Sequence, residues 1–149
     1  MLLIGIRNIG TQTVLADGIV NLGNVYRRYC KKNRCGVPAF STTGNGVALQ
    51  HEGIYHVTAT FVGSASAAGD VTIQLALNGV LVDGALSTET ITTADTEIRT
   101  WVIDYYVKVD SCCVLGIEST GVQTISFVNV SEDIDATFTS VTVNVEKVV

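Results

Sequence analysis

Hydrophobic and polar residues alternate with a period of two along three separate segments of the chain. Between residues 53 and 62 the apolar positions fall on every second residue, and the same alternation recurs in residues 70–78 and 99–110. Successive side chains of a β-strand point to opposite faces of a sheet, so this period predicts three strands with one face in the core. The predicted inward residues are Tyr55, Val57, Ala59, Phe61, Val71, Ile73, Leu75, Leu77, Trp101, Ile103, Tyr105, Val107 and Val109.

The last alternating segment, residues 138–148, contains one aromatic residue that is out of phase. Its apolar face is formed by the valines Val141, Val143 and Val145. Phe138 falls on the opposite face, together with Thr142. Two interpretations stay open: a β-bulge that resets the alternation, or an outward Phe138 that contacts another subunit.

Turn signals separate these segments. Asn78-Gly79 directly follows the second segment and predicts a two-residue β-hairpin, because both central residues of a type I′ turn have positive φ. Residues 83–97 are rich in threonine, serine, alanine and acids, and we expect a surface connection with at most a short edge strand. The whole pattern predicts about eight to ten strands in an all-β antiparallel β-sandwich, either a jelly roll or an immunoglobulin-like fold.

The composition supports an all-β domain. Valine, isoleucine and threonine account for 52 of the 149 residues, and there is a single proline. These β-branched residues lose rotamer freedom in helices and pack well on pleated surfaces. A chain of this length is large enough for one domain with a substantial core.

Charge is distributed unevenly along the chain. Residues 1–35 carry six cationic side chains against one carboxylate, a net charge of +5, whereas residues 36–149 carry three against thirteen, a net charge of −10. This asymmetry predicts a basic N-terminal arm containing the first strands, residues 1–35, attached to an acidic sandwich body, residues 36–149. The densest cationic cluster consists of Arg27, Arg28, Lys31, Lys32 and Arg34.

Two roles for this basic cluster stay open. Lysine and arginine on the edge of a sheet discourage aberrant strand pairing, so the cluster could protect an edge. It could instead dock on an acidic partner or on a neighbouring copy of the body, with Tyr26 and Tyr29 contributing aromatic contacts. The acidic body would repel phosphate, which argues against a nucleic-acid partner.

The sequence gives no indication of a membrane or secretion segment. No window approaches the roughly 18 apolar residues that span a bilayer. The apolar start at residues 2–6 is shorter than the about 7–15 residues of a signal-peptide core and is followed at once by Arg7. We expect it to form a first strand or a docking arm.

The four cysteines leave three interpretations open. Cys30 and Cys35 are separated by four residues, whereas Cys112 and Cys113 are neighbours that would point to opposite faces of a strand. Reduced thiols, a Cys30–Cys35 disulfide and a zinc site are each compatible with this spacing, although a matching second pair of zinc ligands is missing.

No arrangement of residues predicts catalysis. The two histidines, His51 and His56, lie in one short stretch with Glu52, and a serine or cysteine nucleophile needs a general base within reach. The acidic residues Glu132 and Asp133, with Asp135, are interpreted as a solvated loop rather than a calcium site. We therefore predict a protein that is not an enzyme and has no cofactor and no metal.

The order of features resembles the C1q/TNF-like jelly roll over residues 40–149. The resemblance rests on Gly53-Ile54-Tyr55, on the strand that ends in Asn78-Gly79, and on a terminal strand bearing Phe138. Residues 18–30 followed by such a domain are similar to small structural proteins of tailed bacteriophages. This resemblance implies a homotrimer around an axis lined by apolar and aromatic side chains, and on that basis we predict Tyr55 and Phe138 as trimer contacts.

Together these observations predict a non-enzymatic structural protein of a virion, assembled in the host cytoplasm. In this hypothesis a trimeric jelly-roll module decorates the capsid or forms a head or neck appendage. Its partners would be its own copies and the major capsid protein or another virion protein, with no membrane involved. The alternatives are a receptor- or carbohydrate-binding module of a phage tail fibre and a C1q/TNF-like extracellular ligand.

Overall fold

The computed structural model describes residues 2–30, 40–110, 113–114, 117–118 and 123–149. All the regular secondary structure within these ranges consists of β-strands. In chain order the strands are β1 (Leu2–Asn8), β2 (Gln12–Val14), β3 (Asn24–Cys30), β4 (Phe40–Thr42), β5 (Val47–Leu49), β6 (Gly53–Ala65), β7 (Gly69–Leu77), β8 (Val80–Ile91), β9 (Arg99–Val109), β10 (Cys113–Val114), β11 (Ile117–Glu118), β12 (Gln123–Asn129) and β13 (Ala136–Lys147).

Two antiparallel sheets form a sandwich. The first, here called sheet A, has the strand order β3-β1-β13-β6-β9, and β2 also pairs with β13. The second, sheet B, has the order β4-β5-β12-β7-β8. β8 runs beside β9, so the two sheets approach each other at that edge. Strands β10 and β11 form a small separate hairpin. The predicted all-β antiparallel sandwich is therefore confirmed.

The N-terminal residues are built into sheet A. β1 pairs with β13 on one side and with β3 on the other, so it occupies an interior position of the sheet. Ile4 and Ile6 of β1 are buried in the core. The strands β1, β2 and β3 of residues 2–30 thus belong to sheet A. The predicted boundary between residues 35 and 36 lies outside the described residues.

The alternation identified in the sequence corresponds to the interior of the sandwich. Among the thirteen predicted inward residues, eleven are buried, and Leu77 and Tyr105 are half-buried against the same core. Aromatic rings from both sheets meet there: Phe61 of sheet A contacts Phe127 of sheet B with 5.2 Å between ring centroids. The ring of Trp101 packs edge-on against Phe138 at 5.5 Å, and its indole N–H donates to the Val71 carbonyl at 2.9 Å.

A β-bulge explains why Phe138 is out of phase. The pairing of β13 with β6 shifts between Phe138 and Ser140, so the exposed Thr139 is the extra residue. Phe138 pairs with Gly63 and points into the core, where it is fully buried. A Cβ on Gly63 would lie 2.0 Å from the Thr137 carbonyl oxygen, so this close backbone approach requires glycine. Of the two interpretations, the bulge is confirmed and the outward Phe138 is wrong.

The expectation for residues 83–97 is wrong in part. Residues up to Ile91 continue the 12-residue strand β8, which pairs with β7 from Gly69 to Leu77. Its threonines and serine suit a strand with one solvated face, and Thr88 bonds across to Thr72 at 2.7 Å. The predicted hairpin before β8 is confirmed, because Asn78 has φ 52° and Gly79 has φ 81°.

Candidate interaction surface

The basic cluster lies on the free edge of sheet A. Arg27 and Arg28 are exposed residues of β3, which pairs with β1 on one side and has no strand on the other among the described residues. Lys31, Lys32 and Arg34, the remaining residues of the predicted docking cluster, lie outside the described part of the chain. Cys35 and Cys112 also lie outside it, so the cysteine interpretations stay predictions.

Tyr26 of β3 contacts two of the arginines on this side of sheet A and a residue of β13. Its hydroxyl donates to the Oδ1 of Asn144 at 3.0 Å, which draws the ring across the outer face of sheet A. The guanidinium carbon of Arg7 lies 4.9 Å from the ring centroid, and that of Arg27 lies 5.8 Å away. Cation–π attraction therefore holds two arginines against one tyrosine.

Gly5 makes room for the Tyr26 ring. A Cβ at this position would lie 2.9 Å from two ring carbons of Tyr26 and 2.9 Å from Asn144 Oδ1. A larger residue at position 5 would therefore require the Tyr26 ring and the Asn144 side chain to move. Gly5 belongs to β1 and pairs with Arg27, so the sequence of β1 determines how the neighbouring edge strand presents its aromatic residue.

The arginines of this edge have no ion-pair partner among the described residues. The described ion pairs are His56–Asp104, Arg99–Glu97 and Lys108–Asp110. Arg7, Arg27 and Arg28 belong to none of them. We define these three arginines with Tyr26 and Tyr29 as the basic edge. Exposed cations that have no carboxylate partner among the described residues and stand beside exposed aromatic rings are well suited to contact another molecule.

The opposite edge of sheet A is β9, and its outer face presents an exposed carboxylate and an exposed aromatic ring. Asp104 is exposed, and its Oδ1 lies 2.6 Å from the Nε2 of His56 on the adjacent strand β6. The imidazole ring of His56 also stacks on the ring of Tyr106, with 4.7 Å between centroids. These contacts fix the positions of a carboxylate and an aromatic ring on the outer face of the sheet.

Strand β8 extends this surface across to sheet B. The hydroxyl oxygen of Ser87 lies 3.4 Å from the amide nitrogen of Val102, which joins β8 to β9. We define the acidic edge as three carboxylate residues with the apolar and aromatic residues that stand among them. Its members are Asp83, Glu89 and Asp104, with Leu86, Val102 and Tyr106.

The cations next to the acidic edge are already engaged. The Arg99 guanidinium contacts the Glu97 carboxylate, which also accepts hydrogen bonds from the amides of Thr92 and Thr93. The two amides and Arg99 hold the pKa of Glu97 at about 2, well below its usual value. Lys108 pairs with Asp110 at 2.8 Å, and this hydrogen bond raises the pKa of the ammonium group.

Tyr55 and Phe138, the predicted trimer contacts, are interior residues. Both side chains are fully buried within one protomer. The Tyr55 hydroxyl donates to the His51 carbonyl at 2.7 Å, its ring packs on Phe40, and burial raises its pKa to about 12. The prediction that these two side chains contact a neighbouring subunit directly is therefore wrong, because neither reaches the surface.

The described residues contain no arrangement suited to catalysis. No group of three or more histidine, cysteine, aspartate or glutamate side chains within them could hold a metal ion. The partner of His56 is Asp104, and no serine, threonine or cysteine of the described ranges bonds to either side chain. A shallow depression lined by Glu52, Lys108 and Lys147 is bordered by the Lys108–Asp110 ion pair rather than by a nucleophile and its base.

The sequence alone did not identify most of these surface residues. The basic edge was visible as a charge cluster, but Arg7 joins it only through the pairing of β1 with β3. Likewise, His56 meets Asp104 and Tyr106 because β6 and β9 pair in one particular register. Period-two alternation places all three on outer faces, and that is the signal from which this surface could have been found.

Comparison with known proteins shows what the sandwich resembles. No protein-family model matches the chain, and no curated protein matches it in sequence. The solved structure of Eiger TNF from S. frugiperda superimposes with a TM-score of 0.65 at 10% identity, covering 100% of this chain and 94% of that chain. The globular domain of zebrafish complement 1qA protein gives 0.64 at 6% identity, covering 100% and 98%.

A third similar structure is the PRD1 vertex protein P5, with a TM-score of 0.51 at 14% identity over 99% of this chain and 97% of that chain. The fold is a C1q/TNF-like jelly roll. The predicted jelly roll is thus confirmed, and the immunoglobulin-like alternative is set aside. Because one fold hosts many functions, this similarity establishes the architecture and leaves the function to be argued from the surface.

The described residues contain no helix that is long and apolar enough to cross a bilayer.

Proposed function

We propose that the chain is a non-enzymatic structural protein of a virion. In this proposal a trimeric jelly-roll module decorates the capsid or forms a head or neck appendage. The observation that carries the proposal is the surface itself: two exposed charged edges with aromatic residues flank a closed sandwich, and the described residues bring no reactive groups together. Such a molecule is built to bind other macromolecules rather than to transform a substrate.

The comparisons support a virion location by analogy of fold. The PRD1 vertex protein P5 covers nearly the whole chain, which is consistent with this jelly roll serving as a particle component. Its identity of 14% is too low to carry over any residue role. The proposed partners are therefore other copies of this chain and the major capsid protein or another virion protein.

Self-association is supported by exposed apolar and aromatic residues. Tyr29 is 56% exposed, Val102 is 51% exposed and Tyr106 is 59% exposed. Aromatic side chains are enriched at the centres of interfaces, and exposed apolar surface costs free energy in water. The resemblance to C1q/TNF-like domains implies a homotrimer, and trimer avidity would strengthen attachment of the module to a particle.

A test of the virion location uses the particles directly. Virions purified from a host that expresses the intact gene are compared by mass spectrometry and electron microscopy with virions that lack it. The proposal predicts that the chain is present in the first preparation and that density at the capsid surface or neck disappears in the second. Particles that contain none of the chain and keep identical density would contradict the proposal.

A second candidate is an extracellular ligand that binds a receptor. It is favoured by the higher TM-scores with Eiger TNF and the complement 1qA globular domain. Carbohydrate recognition by a tail fibre has less support, because Trp101 is buried and does not offer a stacking surface for sugar. Binding of fluorescently labelled protein to intact host cells, without incorporation into particles, would favour the ligand.

A further inference from the structure

The two charged edges are complementary in sign and number. The basic edge presents the guanidinium groups of Arg7, Arg27 and Arg28. The acidic edge presents three carboxylates, and in the described residues Asp83 and Glu89 have no ion pair while Asp104 pairs with His56. Aromatic and apolar residues stand among the charges on both sides. Each edge therefore offers electrostatic attraction together with apolar surface from which water is displaced on contact.

One protomer cannot join its own two edges. β3 and β9 lie at opposite ends of the five-strand order of sheet A. At the usual spacing of about 4.8 Å between neighbouring strands, the two edges are separated by roughly 19 Å. The two edges of one protomer therefore cannot pair with each other, whereas those of two protomers can.

We propose that copies of this chain associate head to tail, with the basic edge of one protomer against the acidic edge of the next. This inference rests on the self-association proposed above and adds the surface that mediates it. A two-fold contact through either edge alone would place like charges together, which costs free energy. A heterologous contact instead leaves one free edge of each kind, and repetition of the contact closes a ring when its rotation allows. The proposed trimer is such a ring of three protomers.

Tyr26 and Tyr106 give the contact its geometry. Tyr26 is held over Gly5 by Asn144 and by two arginines, whereas Tyr106 is held by His56. Both rings are thus fixed before association, so little side-chain entropy is lost when they are buried. Rigid aromatic residues beside charged ones are typical of the positions that dominate binding free energy.

Charge reversal at matched positions tests this inference. One variant carries Arg27→Glu and Arg28→Glu, a second carries Asp83→Lys and Asp104→Lys, and a third combines all four substitutions. The combined variant has the same net charge as the original chain. A control with Glu52→Lys and Glu132→Lys has the same net charge as the second variant but changes exposed residues outside both edges.

The dissociation constant of the trimer is measured by sedimentation equilibrium, and the fold is checked by far-UV circular dichroism. We expect each edge variant to remain folded and to weaken association at least about tenfold, since reversed charges then face charges of like sign. The combined variant should recover most of that loss, and the control should match the original chain.

The outcomes separate this inference from the proposal on which it depends. If the original chain is a monomer at micromolar concentration, the proposed self-association itself fails. If it is a trimer and both folded edge variants stay equally tight, copies do associate, but not through these edges, and the head-to-tail inference is wrong. Folded edge variants that dissociate without recovery in the combined variant also overturn it, as does an intact trimer that has merely lost attachment to particles.

Discussion

Phe138 and Tyr106 are both aromatic residues of sheet A, yet their surroundings differ completely. The ring of Phe138 packs between Phe61 and Trp101 and is fully buried. The ring of Tyr106 is 59% exposed and stacks on a single neighbour, His56. The first belongs to the aromatic cluster between the sheets, and the second belongs to the acidic edge.

This difference in burial separates the residues that stabilise the fold from those that are available for binding. Residues of the interior are constrained on all sides, so their replacement acts on stability. Residues of the two edges keep a large exposed surface, so we expect their replacement to act more on association than on stability. The predictions below test whether that division holds, beginning with the largest expected effect.

The interior should be the more sensitive to truncation. Phe138→Ala removes a ring that contacts two other aromatic residues, and we expect a loss of about 3–5 kcal/mol in the free energy of unfolding. Tyr106→Ala, the matched edge variant, should cost less than about 1 kcal/mol because a single stacked pair is lost. Urea unfolding followed by the fluorescence of Trp101 measures the free energy of unfolding of both variants. Similar losses would contradict the distinction between interior and edge residues.

Asn129 sharpens the comparison because it is a polar residue of the interior. Its amide donates to the carbonyls of Val14 and Ile134 at 3.1 and 2.9 Å, and its Oδ1 accepts from the Ser131 amide at 3.1 Å. Asn129→Ala leaves these buried groups without partners and should cost about 3 kcal/mol.

The exposed turn residue Asn45 provides the control for this effect. Asn45→Ala should change the unfolding free energy by no more than about 0.5 kcal/mol. Equal effects of the two substitutions in urea unfolding would mean that burial of Asn129 does not determine its contribution.

Gly5 links the interior strand β1 to the basic edge. Gly5→Ala places a Cβ against the Tyr26 ring and should cost about 1–2 kcal/mol through overpacking. In a Tyr26→Ala background the same substitution should cost clearly less, because most of the obstructing atoms are gone. A double-mutant cycle in urea unfolding measures this coupling, and strictly additive costs would argue against the contact.

Glu97 should give the smallest effect, and one that depends on pH. Its pKa is lowered to about 2 in the folded chain from an ordinary value of 4.5. A lowered folded pKa means that the carboxylate contributes stability above about pH 4.5 and loses it as the pH falls towards 2. The difference in unfolding midpoint between the original chain and Glu97→Gln should therefore be present at neutral pH and shrink steadily as the pH falls from about 4.5 through about 2. A constant difference would contradict this account.

Alternation of apolar and polar residues was sufficient to predict the strands of the interior. It worked best for β9, which has one face in the core and one in solvent. It also identified the inward residues of β6 and β7, although Gln74 and Ala76 on the other face of β7 are buried as well. It could not decide the position of Phe138, since a bulge adds one residue and reverses the phase. It also missed most of β8, an edge strand in which exposed residues outnumber buried ones and the alternation is weak.

The candidate surface was less accessible to sequence reasoning. Arg27 and Arg28 stood out because charges that are close in sequence are visible without a structure. Asp104 did not, because its significance comes from His56, which is 48 residues away along the chain. Contacts across a sheet depend on strand register, and a single sequence does not specify which strands become neighbours.

The mass of the assembly tests the central claim that the two edges join copies of this chain. Sedimentation equilibrium of the unmodified chain at micromolar concentration should give three times the 15.8 kDa mass of one chain. Raising the ionic strength from about 0.05 to 0.5 M should shift the equilibrium towards the single chain, because salt screens the attraction between the edges. A single-chain mass at every concentration and ionic strength, or a trimer wholly insensitive to salt, would contradict the account.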